Sequence, residues 1–214
     1  MNISNTFLLV YAGLFPIVNP VGSAPIFLAL TSGYSARMRS NLAWRVAANS
    51  FALLLGSLFV GSHVLNFFGI TVPVLRIAGG LAVSSFGWQL LRDGVRPAHD
   101  PISEDAPVDA FYPLTMPLTV GPGSISVAIA LGAQRPQSAI GSADFTLLAG
   151  GAVVGLLGIA ATIFLCYRFA DRMVAMIGPS GINVLVRLSA FILLCIGIQI
   201  VWSGLSALIG LPAH

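Results

Sequence analysis

The sequence predicts an all-α polytopic membrane protein with six transmembrane helices in two inverted repeats of three. Three observations lead there. Hydrophobic residues make up 57% of the 214-residue chain and charged residues only 8%, with a mean hydropathy of +0.93. A soluble domain carries roughly 25% charged residues to cover its surface, so most of this surface must face lipid. Apolar runs of about 20 residues, long enough to cross a bilayer, recur six times along the chain. Two of these runs, the first and the fourth, are interrupted by Pro and Gly at matching places.

The first span runs from Asn5 to Leu30. It begins without a basic n-region or a small-residue cleavage site, so it reads as a true span rather than a signal peptide. Its centre is FPIVNPVGSAPIFLAL. Pro lacks an N–H and clashes with the preceding turn, but it suits the first helical position after an N-cap. Asn is a favoured cap. Asn19-Pro20 therefore predicts a helix start near the midplane, and Pro16 ends or kinks the half-helix before it.

The second span, Leu42 to Phe67, and the third, Thr71 to Leu91, are uninterrupted. His63 stands near the end of the second, where an imidazole is either a surface group or proton-linked. A Pro-rich, acidic stretch, RPAHDPISEDAP, follows the third span and reads as a solvated loop joining two halves.

The fourth span, Phe111 to Ala133, contains MPLTVGPGSISVAIAL. Gly121-Pro122 repeats the cap-then-proline pattern with the weaker Gly cap, and Pro117 precedes it as Pro16 does in the first span. The fifth, Asp144 to Phe169, opens on an acid suited to a helix N-terminus. Its Gly151 and Gly155 form a small-xxx-small packing pair. The sixth runs from Gly181 to Ile209. Cys166 and Cys195 lie inside apolar spans and read as packing residues, with neither a disulfide nor a metal site expected.

The two broken spans are related. A shift of 101 positions aligns Pro16 with Pro117, Gly22 with Gly123, Ser23 with Ser124, Ala29 with Ala130 and Leu30 with Leu131. A weaker echo pairs Arg76, Gly87 and Gln89 with Arg187, Gly197 and Gln199. The two glutamines are expected to bond between helices. Three spans per half is an odd number, so the second half enters the membrane in the opposite sense. The expected layout is one membrane domain: a first repeat over about 4–91, a connecting loop over about 92–110 and a second repeat over about 111–210. The two breaks then approach the midplane from opposite sides.

All ten basic residues are Arg and sit at span ends, which excludes a nucleic-acid patch. Eight of them, Arg37, Arg39, Arg45, Arg92, Arg96, Arg168, Arg172 and Arg187, flank the odd-numbered connections, against Arg76 and Arg135 on the other face. The arginine bias places the odd connections in the cytoplasm and both termini outside. Arg76 and Arg187 lie within their spans, where they either snorkel to the interface or help gate the repeat interface.

A helix that starts at mid-membrane exposes orphan N–H groups and a positive dipole end, an anion site made of backbone. Gly22 and Gly123 are expected to permit close approach of a ligand there, and Ser23 and Ser124 to add hydroxyl donors. Unwound carbonyls around Ile17, Val18, Thr119 and Val120 suit an ammonium group or a cation. No Asp or Glu lies in either broken segment. Donors on one side and acceptors on the other fit a small neutral zwitterion. The plainer alternative is that Pro and Gly merely kink these helices, as they often do in membranes.

At these residues the chain resembles the MarC family of multi-pass bacterial inner-membrane proteins, which includes the SnatA-type neutral amino acid transporters. The stretches that carry the resemblance are FPIVNPVGSAPIFLALT, VLRIAGGLAVSSFGWQLL, YPLTMPLTVGPGSIS and VLVRLSAFILLCIGIQIVWSGL. The resemblance implies six helices in two inverted repeats, with substrate held between the broken first and fourth. Onto this chain it carries Asn19, Pro20, Val21, Gly22 and Ser23, with Thr119, Gly121, Pro122, Gly123 and Ser124.

The expected function is secondary transport of a small neutral amino acid, glycine or alanine, across the bacterial inner membrane. A channel for small polar solutes and a non-transporting scaffold or sensor are the alternatives. No cofactor is expected, and Na⁺ or H⁺ as the coupling ion is left open, as is the oligomeric state. Catalysis is not expected, because Ser23 and Ser124 have no base near the midplane.

Overall fold

The breaks set the element order. A computed structural model describes residues 3–93, 109–134 and 143–210, the side chains of 143–147 and 179 aside. Helix α1 (Ile3–Val18) ends at Asn19, and α2 (Pro20–Leu30) leaves it at an angle of 42°. Helices α3 (Ala36–Phe67) and α4 (Val72–Asp93) complete the first half. The second half begins with a π-helical segment, Leu114–Thr119, followed by α5 (Pro122–Ala133), α6 (Ala143–Arg168) and α7 (Ala170–Ile209). Residues 94–108, which hold most of the expected connecting loop and Arg96, lie outside the described residues, as does Arg135.

Four helical stretches are long and apolar enough to cross a membrane: Ala36–Phe67, Val72–Asp93, Leu148–Arg168 and Ser180–Ile209. The bent pair α1–α2 makes a fifth. The expected fourth span differs from its sequence reading. Before the break it is not an α-helix, because Pro113 and Pro117 remove two backbone donors four residues apart. Hydrogen bonds there reach five residues back, from Thr115 N–H to the Ala110 carbonyl (3.1 Å), Met116 to Phe111 (2.8 Å) and Val120 to Thr115 (2.8 Å).

Element starts also move. Helix α3 begins six residues before Leu42, because Ser35 caps it by accepting from the Met38 N–H at 3.3 Å. Helix α7 begins at Ala170 rather than Gly181, with a non-helical residue at Gly178 (φ 73°, ψ 167°). That glycine separates a short lead-in from the apolar span, in a backbone region open to residues without a Cβ.

Lipid tails are as apolar as Leu, so helices in a membrane associate through close packing of small residues. Three glycine contacts follow that rule. A Cβ at Gly80 would meet the Gly197 carbonyl at 2.7 Å, one at Gly87 the Ala190 carbonyl at 3.0 Å, and one at Gly204 the Pro73 carbonyl at 2.7 Å. Rising numbers on α4 thus meet falling numbers on α7, so the two helices cross antiparallel. Gly151 and Gly155 press α6 onto α1, as their spacing predicted, with Cβ positions 2.8 Å from the Ile3 carbonyl and 3.2 Å from that of Phe7. Gly61 and Gly132 do the same between α3 and α5. Among the described residues, Gln89 and Gln199 do not bond between helices. Both are exposed, and Gln89 reaches only Ser85 on its own helix at 3.4 Å.

The core between the halves holds Leu14, Phe27, Leu54, Leu58, Leu114, Leu156 and Ile163. Leu8, Val60, Leu157, Phe191 and Ile198 face outward. At one end of the bundle Arg39 pairs with Asp171 at 2.6 Å, and Arg168 bonds Ser40.

Candidate functional site

The first break is a single residue. Asn19 adopts the left-handed conformation (φ 46°, ψ 56°), a region where Asn is several-fold enriched among non-glycine residues. Its backbone N–H still bonds the Phe15 carbonyl at 2.9 Å, and its own carbonyl receives Ser23 N–H at 3.0 Å. Its side chain accepts from the Gly22 N–H at 3.2 Å. Asn19 is thus the predicted N-cap, with Pro20 at the first helical position.

This cap changes what α2 can offer a ligand. Pro20 has no N–H, the Gly22 N–H is taken by the cap, and Ser23 N–H bonds within the helix. That leaves Val21 alone among the first-turn donors. Gly22 is small for a local reason, since a Cβ there would lie 2.8 Å from Asn19 Oδ1. The glycine makes room for the cap, a use the sequence reading did not assign to it.

The second break is longer and uncapped. Val120 (φ −118°, ψ 98°) and Gly121 (φ −97°, ψ 178°) are extended, and no side chain caps α5. Pro122 again takes the first helical position. Ile125 N–H bonds the Gly121 carbonyl at 3.1 Å. The N–H groups of Gly123 and Ser124 are left without a partner among the described residues. Both residues are buried, so these donors are held away from bulk solvent. The Ser124 hydroxyl donates to the Gly121 carbonyl at 2.9 Å. Gly123 abuts α4, where a Cβ would strike Val83 and come 3.4 Å from the Gly79 carbonyl. Its size therefore serves helix packing.

A cavity of about 80 Å³ opens at this second terminus. Gly121, Pro122, Gly123 and Ser124 line it, with Ile17 from α1, Pro117, Ala82, Val83 and Phe86 from α4, and Leu193 from α7. One water needs only ~10–15 Å³, whereas a drug-sized pocket starts near ~300 Å³, so this space suits a molecule of a few heavy atoms. Of the ten candidate residues, four line the cavity. Asn19, Pro20, Val21, Gly22, Ser23 and Thr119 do not.

Thr119 turns instead to a residue the sequence did not single out. Tyr167, on α6, is 2% exposed. Its hydroxyl lies 2.8 Å from Thr119 Oγ1. Its ring stacks on Phe27 of α2 with centroids 4.4 Å apart. One side chain thus touches both broken segments.

A family model, described as MarC family integral membrane protein, matches residues 4–209. The chain belongs to the MarC family. The match takes in both breaks and every helix, save Ile3 at the start of α1. The UPF0056 inner membrane protein MarC of Escherichia coli O1:K1 is 31% identical over 205 residues, covering 92% of each chain. The protein of the same name from Salmonella paratyphi B is 29% identical over 205 residues, again 92% of each. No solved structure matches the chain at comparable significance. In this MarC protein the remaining candidates lie apart from the cavity. Arg76 is half-buried beside Gly204 at the α4–α7 contact, and Arg187 is exposed on α7. His63 is exposed near the end of α3. Cys166 and Cys195 are free thiols, and no cluster of potential metal ligands occurs among the described residues.

Proposed function

We propose that this MarC protein is a secondary transporter of small neutral amino acids, glycine or alanine, in the bacterial inner membrane. The observation that carries the proposal is the uncapped, buried start of α5 facing a cavity of about 80 Å³. The unpartnered N–H groups of Gly123 and Ser124, at the positive end of the α5 dipole, receive the substrate carboxylate. Unwound carbonyls at the second break, around Thr119 and Val120, receive the ammonium group. The walls supplied by Val83, Phe86 and Leu193 tolerate a hydrogen or a methyl and exclude a charged side chain.

The transport reading rests on an inverted repeat, 4–91 against 111–210, with the π segment and α5 forming the sixth crossing. The packing supports that relation. Helix α2 touches α6 as its counterpart α5 touches α3, and α2 touches α7 as α5 touches α4. Across the antiparallel α4–α7 pair, Gly87 meets Ala190 while its counterpart Gly197 meets Gly80. The gathering of Arg39, Arg168 and Arg172 at one end supports a cytoplasmic assignment for that end, with both termini outside. The chain is read as non-catalytic, since the Ser124 hydroxyl bonds a backbone carbonyl rather than any base.

Counterflow tests the function. Proteoliposomes preloaded with unlabelled alanine should accumulate labelled alanine transiently and saturably. Linear flux without exchange would make the protein a channel, and binding without flux would make it a sensor.

A further inference from the structure

The bond between the Tyr167 and Thr119 hydroxyls has a direction that can be worked out. Thr119 has a single hydroxyl hydrogen, and it goes to the Leu114 carbonyl at 2.6 Å. Thr119 Oγ1 must then accept from the Tyr167 hydroxyl, 2.8 Å away. Both residues are 2% exposed. Tyr167 of α6 therefore holds the π segment through its hydroxyl and α2 through its ring, which stacks on Phe27.

We infer that Tyr167 is a latch that ties the two broken helices together and must release them before substrate is carried. The inference rests on the transport reading above and deepens it. Thr119 belongs to the second break, yet in the latched state its hydroxyl is not free for a ligand. A conformation that offers it to substrate has to break the Tyr167 bond. Stacking on Phe27 keeps the ring on α2, so the phenol hydroxyl decides whether α2 and the π segment are joined. Loss of that hydroxyl favours the released state, and a ligand that binds the released state then binds more tightly, because less of its affinity is spent on opening the protein.

The test uses the full chain in liposomes, with Cys166→Ala and Cys195→Ala as background. Spin labels at Ser32→Cys, just after α2, and Phe111→Cys, just before the π segment, report the distance between the two broken segments by double electron–electron resonance. Tyr167→Phe should widen or lengthen the distance distribution and tighten alanine binding about fivefold, the scale of losing one hydrogen bond. Thr119→Val, which removes the acceptor from the other side, should do the same. An unchanged distribution in both variants overturns the latch. So does a fall in affinity together with stability, which is what a merely structural tyrosine would produce. If the parent protein binds no amino acid but Tyr167→Phe still widens the distribution, the latch stands and the transport reading fails. An unchanged distribution alongside alanine binding removes the latch alone.

Discussion

Filling the cavity at α5 separates a binding site from a packing accident. Ala82 lines it from α4. Ala82→Leu adds three carbons, each comparable to a water's ~30 Å³ share of liquid volume, or about 90 Å³ in all. The space available is about 80 Å³, so the leucine fills it and leaves no room for a ligand. Cavity filling typically stabilises by ~0.5–2 kcal/mol, so the variant should melt at or above the parent temperature when no ligand is present. With alanine at a hundredfold excess over its Kd, the parent should gain about 2.7 kcal/mol, on the order of 5–11 °C in Tm for a chain of this length. Ala82→Leu should show no such gain. The assay is a thermal-shift titration of the two purified proteins side by side. A variant that folds and keeps the full alanine-induced shift would refute the assignment of the ligand to this cavity.

Three further outcomes follow from the same contacts. Gly123→Ala should destabilise by about 2 kcal/mol through its collision with Val83, whereas Gly56→Ala, whose Cβ meets nothing within 4 Å, should be neutral or stabilising; Tm values of the pair check this. Asn19→Ala should lower stability by about 2 kcal/mol, since it loses the cap and leaves a Cβ at φ 46°, while Asn19→Gly should lose only a few tenths of that; denaturation midpoints distinguish them. A double-mutant cycle on Arg39 and Asp171 should return a coupling of roughly 0.2–1 kcal/mol that falls with added salt, because the Asp171 side chain is 49% exposed.

Much of the backbone plan was legible because its cause is local. Asn19-Pro20 and Gly121-Pro122 announce helix starts through the chemistry of cap and ring, and both starts fall where that chemistry places them. Gly151 and Gly155 likewise read correctly as packing residues. What was not legible depends on what lies opposite. A glycine shows that something approaches closely, not what it is. Gly22 faces its own cap and Gly123 faces Val83, where a ligand had been expected. The Asn19 cap also removes a donor from the very terminus it starts, and that makes the two breaks unequal despite their shared sequence. The spacing of Pro113 and Pro117 was a signal for irregular backbone before the second break. Tyr167 carried no signal, since a tyrosine beside Arg168 at the end of an apolar run looks like any residue of an aromatic belt. Its role appears only when α6 is packed between the two halves.

The central claim is that a small amino acid rests its carboxylate on the first turn of α5. Solid-state NMR measures this directly, through the dipolar coupling between ¹³C-carboxyl alanine and the assigned ¹⁵N amides of the protein in liposomes. The account predicts coupling to Gly123 and Ser124 at about 4 Å, the carbon–nitrogen separation of an N–H···O bond of ordinary length, with much weaker coupling to Gly22 and Ser23. Bound alanine that couples to neither Gly123 nor Ser124 would contradict it.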